Sequence, residues 1–166
     1  VHQLRDVIKD FARHGGRNFA IVNGHYENAW FITEAVDIAL RELRWDNITN
    51  VKIVVLSYWD FVTEETIARI YPDGFPGWAV EHGGVLETSL MLSLYPEFVE
   101  LDRAIDHPPA TFPPYDVYPV KTEWTPASGT LSSPKLASRE KGDLMLAVCT
   151  DGIVKALRDE FSITAK

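Results

Sequence analysis

The chain holds a single cysteine, Cys149, among its 166 residues. It therefore forms no internal disulfide, which agrees with a reducing compartment. Long apolar runs are also missing: none reaches the length of about 18 residues that a bilayer-spanning helix needs. The first residues, Val1-His2-Gln3-Leu4-Arg5-Asp6, lack the apolar core of a secretion signal. Basic residues are scarce, 16 against 24 acidic ones for a net charge of −8. With no Lys/Arg cluster, neither nucleic acid nor an anionic membrane is an expected partner. There is no Gly-x-Ser-x-Gly elbow, no Gly-rich phosphate loop and no Cys-x-x-Cys pair. A cytoplasmic enzyme is therefore the default expectation for this acidic chain, 46% apolar and 24% charged and sized for one domain over 1–166.

Periodicity then sets the organisation. Leu4, Val7, Ile8 and Phe11 recur at helical spacing, and Gly15-Gly16 ends that helix. Phe19-Ala20-Ile21-Val22 is a continuous apolar run, as expected of a parallel strand buried on both faces. Ala29, Ile32, Val36, Ala39, Leu40 and Leu43 stripe a second helix, and residues 51–56 read as a second strand. Further helices are expected over 64–70, from Val85 to about Tyr95, and from about Ser138 to Phe161. In the last of these, Leu146, Cys149, Ile153, Leu157 and Phe161 share a face, with Ser138 as N-cap. Between them, residues 106–134 are too rich in proline for helix, and their aromatic residues predict an ordered excursion. The alternation of helix and strand predicts an α/β fold with a parallel, helix-covered sheet. Because the chain opens on a helix, the sheet is expected to lack N-terminal strands and the domain to be incomplete there.

Two short stretches concentrate groups able to do chemistry. Asn23-Gly24-His25-Tyr26-Glu27-Asn28 lies between the first strand and the second helix, at the strand end where α/β proteins bind ligands. In an extended segment, residues two apart project to one side, so His25 and Glu27 could share a zinc or manganese ion. Gly24 keeps the backbone slim beside them. Read blandly, Asn23-Gly24 is a turn, His25 is solvated and Glu27 occupies a first helical turn. The second stretch is Glu81-His82-Gly83-Gly84-Val85-Leu86-Glu87. Histidine is suited to carry a proton near neutrality, and His82 has carboxylates on both sides in sequence. Glu87 also fits a helix N-terminus for purely structural reasons. Trp59 and Trp78 fall outside helix stripes and read first as core or interface packing, with walls for a planar polar ligand as the other reading. Cys149 lies on a helix stripe and reads as a small core residue.

Taken together, Asn-Gly-His-Tyr-Glu-Asn at 23–28, Ser-Tyr-Trp-Asp-Phe-Val at 57–62, Glu-His-Gly-Gly-Val-Leu-Glu-Thr-Ser-Leu-Met-Leu at 81–92 and Asp-His-Pro-Pro-Ala-Thr-Phe-Pro-Pro-Tyr-Asp-Val at 106–117 strongly resemble the creatininase family. Gly-Thr-Leu-Ser-Ser at 129–133 and Ala-Ser-Arg-Glu-Lys-Gly at 137–142 extend the match over essentially the whole chain, as the C-terminal two thirds of a subunit. The resemblance implies a three-layer helix–sheet–helix sandwich around a mostly parallel sheet, assembled as a homohexamer. Each complete subunit would carry two divalent ions, zinc with manganese able to replace it. The reaction implied is interconversion of creatinine and creatine, a metal-bound hydroxide attacking the ring carbonyl. By motif, His25 and Glu27 match metal ligands and Glu81 and His82 the catalytic pair, His82 shuttling the proton. Gly24, Tyr26, Trp59, Trp78 and Glu87 match the substrate pocket.

Two departures accompany the match. The family's remaining ligands, a Glu-x-His and an Asp, have no counterpart in this chain, and Ala79 stands where creatininases carry an Asp beside the pocket tryptophan. Related readings are therefore kept alongside: a formylaminopyrimidine deformylase, a precursor-peptide peptidase, or a non-catalytic fragment.

Overall fold

The structure, a computed structural model, describes residues 1–163. Seven helices and strands carry it: α1 (His2–Arg13), β1 (Asn18–Asn23), α2 (Asn28–Trp45), β2 (Lys52–Ser57), α3 (Glu64–Ile70), α4 (Val85–Leu94) and α5 (Arg139–Phe161). Short 3-10 turns at Tyr58–Phe61 and Trp78–Val80 hold the two tryptophans of interest. The chain divides into two compact units, one of Val1–Phe61 with the chain from Cys149 onward, the other of Val62–Val148.

In the first unit β1 and β2 pair in parallel, from Asn18 opposite Lys52 to Asn23 opposite Ser57. α2 is the crossover between them, which is why the two strands can run the same way. α1 and α2 bury Ile8, Ala12, Ala39 and Leu43 against each other, with Phe19, Ile21 and Ile53 of the strands packed on that cluster. Each large aliphatic side chain so buried stabilises the fold by roughly 1.5–3 kcal/mol. Gly15, at φ 99°, takes the backbone out of α1 in a conformation that side-chain-bearing residues rarely adopt.

Three sequence expectations need correcting here. The inward face of α1 is Leu4, Ile8 and Ala12, whereas Val7 and Phe11 are 46% and 63% exposed. The strands are not buried on both faces: Val22 and Val55 remain 51% and 44% exposed, because the helices packed on the pair cover Phe19, Ile21 and Ile53. In α5 the buried residues are Met145 and Cys149, not Leu146. Gly142 and Gly152 explain that rotation. A Cβ on Gly142 would sit 1.9 Å from the Ser89 carbonyl oxygen, and one on Gly152 would sit 2.3 Å from the Phe61 ring. The glycines mark the face of closest approach, and Met145 and Cys149 lie between them on it.

In the second unit, Thr63 caps α3 by accepting from the Thr66 amide at 3.2 Å. Ser138 caps α5, as expected, accepting from the Lys141 amide at 3.3 Å. The 106–134 excursion has no helix beyond the 3-10 turn at Thr122–Trp124. Backbone bonds nonetheless tie its ends, Ala110 N–H donating to Leu131 O at 2.8 Å. Its aromatic residues are less enclosed than expected, with Tyr115 and Tyr118 67% and 81% exposed.

Candidate active site

β1 delivers the first loop. Asn23, buried at its end, shapes the turn: its Oδ1 accepts from the His25 amide at 3.1 Å and from Asn28 Nδ2 at 3.3 Å. Its Nδ2 donates to Ser57 Oγ at 3.3 Å, fastening the ends of both strands at one rim. The loop is therefore not extended. Asn28 N–H and Ala29 N–H donate to the carbonyls of His25 and Tyr26, and Glu27 has helical dihedrals, φ −65° and ψ −16°. The two candidate ligands still converge, by a turn rather than by strand alternation, with His25 Nδ1 3.5 Å from Glu27 Oε2. Glu27 occupies the N-cap position of α2 but makes no capping bond, so its carboxylate is left to act elsewhere. Tyr26 is 65% exposed and packs edge-on to Trp30 at 5.7 Å. Gly24 has open space around it, since a Cβ there would meet nothing within 4 Å.

The second loop is built in the opposite manner. Glu81 reaches the N-terminus of α4, where its Oε1 accepts from the Leu86 amide at 2.7 Å. Its other oxygen accepts from the Tyr71 hydroxyl. Burial raises the Glu81 carboxyl above the ordinary glutamate range, and the bonds from Tyr71 and Leu86 pull the other way. The Tyr71 hydroxyl is pushed far up, first by burial and then by the adjacent carboxylate, so it stays protonated and donates. Glu87, in the first turn of α4, accepts from the amide of Gly83, the residue before the N-cap Gly84, at 2.5 Å. Gly83 lies at φ +62°, and a Cβ on Gly84 would stand 2.4 Å from Ser132 Oγ and 2.7 Å from Glu81 Oε2. The His82 carbonyl accepts from Leu131 N–H at 2.9 Å.

The tryptophans stand on 3-10 turns. Trp59 is half-buried and edge-on to Tyr58 at 4.8 Å, while Trp78 is 47% exposed and edge-on to Phe75 at 5.2 Å. Ala79 beside it is exposed. The structure thus pairs His25 with Glu27 in the first unit and joins Glu81 to Glu87 through the 83–86 turn in the second. Sequence reasoning missed Tyr71 and Ser132. Ser132 is buried, and its hydroxyl has no hydrogen-bond partner among the described residues. Nothing local signals either one, since both reach Glu81's surroundings from distant segments. Cys149 is buried and its thiol is pushed up to about 11, which removes it as a nucleophile at neutral pH.

An imidazole and a carboxylate are the donor types that zinc and manganese take, so the His25–Glu27 pair fits part of a metal site. Among the described residues no group of three or more His, Cys, Asp or Glu side chains forms one. A catalytic zinc takes about three protein ligands, of which this pair would be two.

Comparison with known proteins follows the same line. A family model for creatininase, described as creatinine amidohydrolase, matches residues 1–157. A creatinine amidohydrolase from Pseudomonas putida is 61% identical over 162 residues, covering 97% of this chain and 62% of the relative. A creatininase variant of Zn-Zn type and a creatininase with Mn each superpose at TM-score 0.93 and 61% identity, over 96% of this chain and 62% of theirs. A creatininase variant complexed with creatine superposes at TM-score 0.92 and 61% identity, over 96% of this chain and 63% of that one. The chain thus spans a little over three fifths of the length of these proteins.

Proposed function

The chain belongs to the creatinine amidohydrolase family, and on that premise we propose that its protein opens the cyclic amide of creatinine to give creatine, and the reverse. One observation carries the reading: 61% identity to a creatinine amidohydrolase across 97% of the chain, with every site residue discussed above inside the matched segment. That identity favours creatinine over the formylated pyrimidines and peptides of the alternative readings.

His25 and Glu27 are the two ligands this chain offers to a pair of divalent ions, zinc or manganese, in a complete subunit. Such an ion, when bound, lowers the pKa of water to about 7 and polarises a carbonyl oxygen. The chain's own residues do the rest. By the family match, Tyr26, Trp59 and Trp78 are the aromatic side chains of the kind that stack on a flat ring, and Gly24 has open space beside it. Opening adds water across the ring amide: the carbonyl carbon gains the hydroxyl oxygen and the ring nitrogen leaves with a proton. His82 hands that proton to the departing nitrogen. Glu81 stands beside it with its carboxyl raised by burial and oriented by Tyr71 and Leu86, so it holds the 81–86 turn and tunes the proton transfer. Glu87 secures the same turn through Gly83. Homohexamer assembly and a cytoplasmic location complete the proposal. Among the described residues no helix is long and apolar enough to cross a membrane.

The test is substrate profiling of the natural-length protein with zinc or manganese. Turnover of creatinine, with formamides and short peptides left untouched, is expected. Preference for a formamide or a peptide overturns the assignment.

A further inference from the structure

The stretch Asp106–Val117 carries part of the family resemblance, yet the reaction as proposed uses none of its side chains. His107 has three polar neighbours. Its Nδ1 lies 2.9 Å from the Pro108 carbonyl oxygen, which can only accept, so Nδ1 carries the proton. Nε2 is then the acceptor, 2.9 Å from Thr130 Oγ1 and 3.1 Å from Ser128 Oγ, and these two hydroxyls are 3.0 Å apart. One ring thus ties the start of the excursion to residues more than 20 positions away.

The far end of the tie is what matters for function. Thr130 lies against Gly83, where an added Cβ would fall 2.8 Å from Thr130 Cγ2. The next residue, Leu131, accepts from Ala110 N–H at 2.8 Å and donates its own N–H to the His82 carbonyl at 2.9 Å. An unbroken path of short contacts therefore runs from the His107 ring through Thr130 and Leu131 to the backbone of His82 and Gly83.

We propose that His107 is a positioning residue, a clasp that closes the 107–131 excursion on itself and fixes the backbone at His82 through Thr130 and Leu131. The inference rests on the reading of His82 as the proton carrier. A displaced His82 backbone would misaim the imidazole, and small misplacements of a reacting group cost rate rather than ground-state binding.

The test uses three variants of the natural-length, metal-loaded protein: H107A, T130V and T130S. T130V keeps the shape of the side chain and its methyl against Gly83 while deleting the hydroxyl; T130S keeps the hydroxyl. H107A and T130V are expected to speed amide exchange at Ala110 and Leu131 about fivefold, what one neutral hydrogen bond is worth. Both should lower kcat about five- to tenfold with KM moving less than about twofold, while T130S retains most of kcat. Wild-type kcat and exchange in both H107A and T130V overturn the clasp. So do equal losses in T130S and T130V, which would assign the effect to packing. If H107A fails to fold, the isosteric T130V decides. If the unaltered protein does not turn over creatinine, the functional reading fails, and the exchange of T130V against T130S still decides the clasp.

Discussion

The two loops that carry the candidate site residues are built on opposite principles. Residues 23–28 form an open turn: Tyr26 is 65% exposed, the Glu27 side chain is 78% exposed, and Gly24 has nothing near it. Residues 81–87 form a tight knot in which both carboxylates accept backbone amides and Gly84 has no room for a methyl group. On the roles proposed for them, the difference fits what each loop would hold. Metal ligands gain their fixed geometry from the ion, so a loop that offers them can stay open. A proton-transfer pair has no such template, so the fold must set its position and its acidity in advance.

That contrast is broken most directly at the glycines. G84A drives a methyl group into Ser132 and Glu81 and is expected to cost about 3 kcal/mol in denaturant unfolding, whereas G24A should stay within about 0.5 kcal/mol. Equal costs would mean that the second loop yields as easily as the first. Next in size are the proposed ligands. H25A and E27Q should each weaken zinc binding by about 100-fold in calorimetry, with a thermal midpoint without metal close to the unaltered protein's. A large loss of midpoint instead would make the pair a structural contact.

The smallest effect concerns pH. Burial holds the Glu81 carboxyl above its ordinary value of 4.5, so the folded state keeps a proton that the unfolded chain has already released. Stability contributed by that group is therefore full below 4.5 and falls as pH rises from 4.5 through the raised folded value. E81Q should flatten this decline in urea midpoints measured from pH 4 upward, about an isosteric change otherwise. Y71F, which removes the donor that favours the charged carboxylate, should steepen it. An unchanged slope in both variants would show that Glu81 titrates as though in water.

Legibility from sequence divides along the same line. Elements written in local periodicity were readable: α3 spans Glu64–Ile70 as expected, and Ser138 caps α5. The Asn-Gly pair signalled the turn at 23–24, though not that Asn23 would organise it through Asn28 and Ser57. Face assignments on α1 and α5 held for Leu4, Ile8 and Cys149 and failed for Val7, Phe11 and Leu146, where apolar residues sit on two adjacent stripes. Gly142 and Gly152 were the overlooked signal, since glycine inside a helix marks close approach. The approach of Tyr71 to Glu81, of Ser132 to Gly84 and of Thr130 to the His107 ring could not be read, because these residues lie 10 or more positions apart and only the folded chain brings them together.

The central claim is that this chain contributes ligands and a proton carrier to creatinine opening. The most direct measurement is creatine formation from creatinine by the natural-length, zinc-loaded protein, side by side with H82A. The account predicts turnover that falls at least about 100-fold in H82A, with zinc content unchanged. Turnover retained in H82A, or no creatine formed by the unaltered protein with its metal bound, would contradict it.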